Sequence, residues 1–254
     1  MRYFIELSYN GKCYHGWQRQ PNAISVQEIL ENGLSKLLKT DITIFGAGRT
    51  DAGVHAKQMY AHFDINFSIN REMLVFKLNS FLPKDICVQS LHQVTSNTHA
   101  RFNAISREYY YLISLEKNVF NYENSYYFKK KLNIQKMNEA AVILYEYKNF
   151  KCFSRSNTDV KTYNCNILLA KWVLDSKFQL VFTIQADRFL RNMVRAIVGT
   201  MIDVGLGITS IEEFHDILKS KDRRKAGASA PAHGLFLSKI VYDNAIFLVN
   251  DKSK

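Results

Sequence analysis

The chain has 254 residues, 47% of them apolar and 22% charged, with 11 glycines and 3 prolines. That balance excludes a disordered chain and a collagen-like or Pro-rich fibre, and no apolar run approaches the ~20 residues of a membrane span. Thirty-four Lys and Arg against 23 Asp and Glu give a net charge of +11, which favours polyanionic partners such as nucleic acid without requiring one.

The opening Met1-Arg2-Tyr3-Phe4-Ile5-Glu6 puts an acid where a secretion signal would be apolar, so a cytoplasmic protein is expected. Tyr3 to Ser8 alternates as a strand, and Asn10-Gly11-Lys12 follows as a loop. Ser25-Val26-Gln27-Glu28 is a capping box opening a helix whose apolar face is Val26, Ile29, Leu30, Leu34, Leu37 and Leu38. Ile42 to Phe45 reads as a short strand running into Gly46-Ala47-Gly48-Arg49-Thr50-Asp51-Ala52-Gly53-Val54-His55. Met59 to Phe63 is expected as strand, Arg71 to Phe81 as helix, Ile86 to Val94 as strand, and the Tyr-rich Ser106 to Leu115 as strand.

In the second half, Ile134, Met137, Ala141 and Leu144 mark a helix. Leu168 to Leu174 and Gln179 to Ala186 read as a hairpin around Asp175-Ser176-Lys177. A helix over about Phe189 to Val204 precedes another opened by the capping box Ser210-Ile211-Glu212-Glu213, and Leu235 to Tyr242 and Ala245 to Val249 close the chain as strands. Strands and helices mix without βαβ alternation, which favours an α+β fold with a largely antiparallel sheet. Two lobes would divide near Asn97 to Ile105, giving an N-terminal lobe over 1–105 and a C-terminal lobe over 106–254 that share one sheet.

The Gly-rich run holds the most chemistry. Glycines allow close backbone approach, so the loop can present Arg49 and Asp51 to a large ligand; it is also readable as a tight turn with a solvated Asp. No Gly-Lys-Ser/Thr follows, which excludes a Walker loop. Arg188, Arg191 and Arg195 fall at i, i+3 and i+7, one face of the expected helix, suited to phosphate or carboxylate or simply solvated. In the strand of Tyr109, Tyr110 and Tyr111, alternation sends Tyr109 and Tyr111 one way and Tyr110 the other, so one face can stack on a base and the other pack. Lys129-Lys130-Lys131 and Lys221-Asp222-Arg223-Arg224-Lys225 read as phosphate contacts or solvated loops. The four cysteines, Cys13, Cys87, Cys152 and Cys165, form no close pair, and the seven histidines no HxxxH, so neither metal nor disulfide is expected.

Gly48-Arg49-Thr50-Asp51-Ala52-Gly53-Val54-His55-Ala56 resembles the signature of the TruA family of tRNA pseudouridine synthases. Tyr9-Asn10-Gly11, Gly16-Trp17-Gln18-Arg19-Gln20 and the Ser25 box resemble the family's N-terminal segment, and Leu78-Asn79-Ser80-Phe81-Leu82-Pro83 and His99-Ala100-Arg101-Phe102 follow in order. Phe189-Leu190-Arg191-Asn192-Met193-Val194-Arg195 and Ala230-Pro231-Ala232-His233-Gly234-Leu235 complete a match spanning nearly the whole chain.

The resemblance implies two similar α+β lobes joined through a continuous antiparallel sheet, a homodimer, no cofactor, and a substrate of uridines in the anticodon stem-loop of tRNA. It makes Asp51 the catalytic aspartate, Arg49 the arginine inserted beside the extruded nucleotide, and Tyr109 the tyrosine stacked on the uracil. Arg195 becomes the partner of the aspartate, and His55, Arg188 and Arg191 further RNA contacts. A carboxylate acting at C1′ or C2′ must be ionised, a form that a neighbouring guanidinium favours. Two departures stand out. Ala226-Gly227-Ala228-Ser229 carries Ala where the family often has proline, expected to loosen a turn; Glu108 and Tyr110 stand where basic residues are frequent, expected to lower local affinity for RNA. The competing readings are a non-catalytic RNA-binding or chaperone protein on the same scaffold and an enzyme acting on a phosphorylated metabolite.

Overall fold

The structure, a computed structural model, describes residues 1–156, 160–176 and 178–248. The chain forms two compact units, one of Met1–Ile105 together with residues from Leu237 onward, the other of Ser106–Phe236.

The first unit contains β1 (Arg2–Tyr9), α1 (Val26–Leu38), β2 (Phe45–Gly46), β3 (His55–Asp64), α2 (Arg71–Phe81) and β4 (Ile86–Val94). β1 runs antiparallel between β3 and β4. Tyr3, Ile5, Leu7 and Tyr9 point to one buried face, as the period of two dictates. α2 packs on β4, and Asn79 fixes the pair by bonding both the N–H and the C=O of Val88 at 2.8 Å. α1 opens with Ser25 Oγ accepting the Glu28 N–H at 3.3 Å.

The strand expected over Ile42 to Phe45 shrinks to the two residues of β2. The preceding amides are taken by side chains of α1: Ile42 N–H donates to Ser35 Oγ at 2.9 Å and Ile44 N–H to Glu31 Oε1 at 3.1 Å. Glu31 is buried, and its carboxylate is satisfied at Oε1 by the Ile44 N–H and by Gln27 Nε2 at 2.9 Å and at Oε2 by Arg19 Nη1 at 3.4 Å.

The second unit contains β5 (Ser106–Ser114), β6 (Tyr126–Tyr127), α3 (Ile134–Ile143), β7 (Ile167–Ser176), β8 (Gln179–Ala186), α4 (Met193–Gly205) and α5 (Ile211–Ser220). β8 lies antiparallel between β5 and β7, with Tyr109 opposite Ile184 and Trp172 opposite Phe182. Lys177 of the expected hairpin turn lies outside the described residues. Trp172 stacks on Phe182 at 4.7 Å, and Asn138 of α3 bonds the Trp172 N–H and C=O at 2.9 and 3.0 Å. α4 is buried on every side except at Arg195 and Asp203, as befits a helix apolar around most of its circumference. α5 opens with the expected capping box, both reciprocal bonds present.

The last strand, β9 (Leu235–Val241), lies beside β3, and Ile240 N–H donates to Gln58 Oε1 at 3.0 Å. Among the described residues no strand runs over 245–248: Asp243 caps the Ala245 N–H at 2.9 Å and the chain turns as a 3-10 helix over Asn244–Ile246. Phe247 then packs edge-on against Phe4 at 6.1 Å, and Val249 lies outside the described residues. Both units are α+β with antiparallel strand neighbours predominating, the class expected.

Candidate active site

The Gly-rich run between β2 and β3 is braced from below by the N-terminal segment. Thr50 is buried, its Oγ1 2.8 Å from the Tyr9 hydroxyl, and its carbonyl accepts the Trp17 N–H at 3.3 Å. Gly53 N–H donates to the Tyr14 carbonyl at 3.3 Å, and Val54 N–H turns back onto the Asp51 carbonyl at 3.2 Å. Gly53 has φ +77°, a conformation that costs a glycine nothing. Gly46 lies against the Trp17 indole so closely that a Cβ would overlap the ring.

These contacts hold the backbone on both sides of Asp51 while its side chain stays partly accessible. Arg49 is exposed and its Nε donates to Gln18 Oε1 at 2.9 Å. Gly16-Trp17-Gln18 and Tyr9, marked in the sequence only as parts of the N-terminal motifs, are therefore parts of the site, brought beneath the loop by chain-distant contacts.

His55, expected as an RNA contact, is 2% exposed, and its Nδ1 accepts the Gly11 N–H at 3.0 Å. It braces the loop from within. An acceptor at Nδ1 also requires that the ring proton of neutral His55 sit on Nε2.

In the second unit Tyr109 lies half-accessible on β5, its ring edge-on to Phe189 at 5.2 Å and 87°. Tyr111, on the same face, is buried and its hydroxyl donates to the Pro231 carbonyl at 2.9 Å. Tyr110 points the other way and stacks on Phe236 at 4.8 Å; burial pushes its phenol up to about 12. Alternation thus places the three rings as the strand pattern predicts, with Tyr109 the accessible one of its face.

The arginine stripe is not helical. α4 begins at Met193, because Asn192 adopts the left-handed conformation at φ +66°, which stops a right-handed helix from extending upstream. Arg188 and Arg191 therefore stand in the turn between β8 and α4. Asp187 Oδ1 accepts the Arg188 N–H at 2.7 Å, Arg188 Nη1 reaches the Thr162 carbonyl at 3.4 Å, and the Arg191 carbonyl accepts the Arg155 N–H at 3.0 Å. Arg195 alone of the three is on the helix, with Nε donating to the Ala230 carbonyl at 2.7 Å.

The turn Ala226-Gly227-Ala228-Ser229, expected to be loosened by an Ala in place of proline, is pinned by Arg223, whose Nη1 donates to the carbonyls of Ala226 and Gly227 at 3.2 and 3.0 Å. Arg223, expected as a phosphate contact or a solvated residue, is thus a structural bond donor; Arg224 beside it is exposed and paired with Asp222 at 2.7 Å.

The sequence profile that describes tRNA pseudouridine synthases matches residues 7–103 and 140–243, which contain the Asp51 loop and the Arg195 helix. The chain belongs to the tRNA pseudouridine synthase family. It is 49% identical over 247 residues to the tRNA pseudouridine synthase A of Bacteroides fragilis, covering 97% of this chain and 98% of that protein. To that of Parabacteroides distasonis it is 49% identical over 251 residues, covering 98% and 99%. To that of Bacillus subtilis it is 39% identical over 248 residues, covering 96% and 100%. A pseudouridine synthase isomerises its substrate: the C1′–N1 bond of uridine breaks, the uracil turns, C5 joins C1′, and a proton leaves C5 while N1 gains one. Among the described residues no helix is long and apolar enough to cross a membrane.

Proposed function

We propose that this chain isomerises uridine to pseudouridine in the anticodon stem-loop of tRNA, with Asp51 as the catalytic carboxylate. The bracing of Thr50 by Tyr9 and Trp17 carries this reading, because a carboxylate on a backbone fixed on both sides is preorganised for attack on a sugar.

The target base must leave its stack, at a cost of a few kcal/mol. Arg49 offsets part of that cost by exchanging its Gln18 bond for the vacated place in the RNA. Tyr109 offsets more by stacking on the extruded uracil, a contact worth ~1–3 kcal/mol, and it stands ready to help remove the C5 proton. Arg195 favours the ionised carboxylate once RNA excludes water. Arg188 and Arg191, on a turn rather than a helix, meet phosphates. The enzyme works in the cytoplasm as a homodimer, which sedimentation of the purified protein tests directly.

The reading is tested by incubating the protein with unmodified tRNA transcript and mapping pseudouridine by chemical labelling. Asp51→Asn should lower turnover by at least about 1,000-fold with tRNA binding nearly intact. Turnover within tenfold of the parent removes Asp51 from the mechanism, and label outside the anticodon arm removes the assigned target.

A further inference from the structure

Arg195 does not stand alone on α4. Its Nε donates to the Ala230 carbonyl at 2.7 Å while its own carbonyl accepts the Ala230 N–H at 2.9 Å, so its side chain and backbone are both tied to the strap 226–231. The strap presses on α4 so closely that a Cβ on Gly199 would overlap the Ala228 carbonyl. Gly227 N–H donates to Thr200 Oγ1 at 3.0 Å. From the other side Arg223 spends both terminal guanidinium nitrogens on the strap: Nη1 on the Ala226 and Gly227 carbonyls, Nη2 on Ser229 Oγ at 2.9 Å. Ser229 is in turn bonded at 2.7 Å by Nδ2 of Asn192, the left-handed residue that starts α4.

We propose that Arg223 is a positioning residue for the isomerisation: its three-pronged hold on the strap fixes the Ala230 carbonyl and, through it, the direction of the Arg195 guanidinium. A planar fork can meet two carbonyls and a hydroxyl at once, whereas a lysine ammonium on a flexible stem cannot reproduce that geometry. Arg223 sits in the basic run 221–225, where charge alone would make it a phosphate contact; its donors are instead turned onto the chain itself. The inference rests on the reading of Arg195 as part of the reaction machinery.

The test compares the parent with Arg223→Ala, Arg223→Lys, Ser229→Ala, Arg195→Ala and the double variant Arg223→Ala/Arg195→Ala. Single-turnover rates are measured at saturating tRNA, and tRNA affinity across a salt series, below each variant's melting temperature. Arg223→Ala should slow the reaction about 10- to 100-fold, the scale of an ångström misplacement, with the dissociation constant within about twofold and the salt slope unchanged. Arg223→Lys should not restore the rate. Ser229→Ala, which leaves the two carbonyl bonds in place, should slow it by a smaller factor. The double variant should be no slower than Arg195→Ala, since Arg223 acts through it.

A weakened affinity with a salt slope reduced by about one makes Arg223 a phosphate contact and overturns the proposal. Parental rates in both Arg223→Ala and Ser229→Ala beside a slow Arg195→Ala overturn it while leaving Arg195's role intact. A parental rate in Arg195→Ala removes that role, and the clamp's function with it. Additive losses in the double variant show that Arg223 acts elsewhere and also overturn it.

Discussion

Gly16 and Thr50 touch backbone to backbone: a Cβ on Gly16 would collide with the Thr50 carbonyl oxygen, and Gly16 itself sits at φ +88°. The residue before Asp51 can reach its place only because position 16 has no side chain. Gly16→Ala therefore meets two penalties, a left-handed conformation worth about 1–3 kcal/mol and the clash itself. Urea denaturation should show a loss of at least that size, and the folded fraction should turn over tRNA more slowly because Thr50 is displaced.

Gly48 gives the opposite case. A Cβ there meets nothing within 4 Å, so the fold has no steric need of a glycine at that position. Gly48→Ala should leave the unfolding free energy from urea denaturation within about 0.5 kcal/mol of the parent. If the ribose-phosphate backbone of the substrate comes close to this loop, the same variant weakens tRNA binding; we expect that loss, read by filter binding with the unmodified transcript.

Arg195→Ala should cripple catalysis more than binding. Removing one charged donor beside a reacting group costs about 10²–10³ in rate, while the tRNA dissociation constant should move less than about threefold. Single-turnover rates and binding isotherms on the same protein separate the two, and equal losses in both would reduce Arg195 to a phosphate contact.

With a net charge of +11, the chain should bind tRNA largely through phosphates. A footprint of about six phosphates loses about a thousandfold in affinity between about 50 and about 200 mM salt. The measurement is a titration at four or more salt concentrations, and a flat response counts against that footprint.

His62 supplies a pH dependence of stability. It is buried, stacked on Phe45 at 5.2 Å and 4.5 Å from the His99 ring, with Nδ1 accepting the Ala100 N–H at 3.2 Å. Burial, then the neighbouring His99 and Arg2, push it down to about 4 from 6.5. Above pH 6.5 neither folded nor unfolded chain protonates this ring. As pH falls from 6.5 toward 4 the unfolded chain takes up a proton that the folded chain refuses, so stability is lost across that window and the loss levels off below it. From pH 7 to pH 5 this one residue should cost about 2 kcal/mol. His62→Phe should lose that much less than the parent between the two pH values in urea denaturation.

Much of the fold is legible in the sequence where local pattern and tertiary contact agree. α2 and β4 occupy the ranges their apolar spacing predicts. The departures have identifiable physical causes. Apolar spacing continues upstream of Met193, but a single left-handed Asn192 ends the helix there; over 42–44 the β-branched residues suggest a strand, yet Ser35 and Glu31 take the amides a partner strand would need. At the candidate site, motif resemblance singles out Asp51, Tyr109 and Arg195. The residues that hold them, Tyr9, Gly16 and Trp17 beneath one loop and Arg223 behind one helix, show that role only in the fold, where the first three meet partners distant in sequence and Arg223 meets two carbonyls and the Ser229 hydroxyl of the strap.

The excursion of the chain out of the first unit at residue 105 and its return at 237 fixes an order of assembly. A ribosome delivers the second unit, through residue 236, before it delivers the rest of β9, the neighbour of β3. The unit begun first is thus completed after the second, and until residues 237–241 emerge the flank of β3 that β9 will occupy waits open for a strand not yet made.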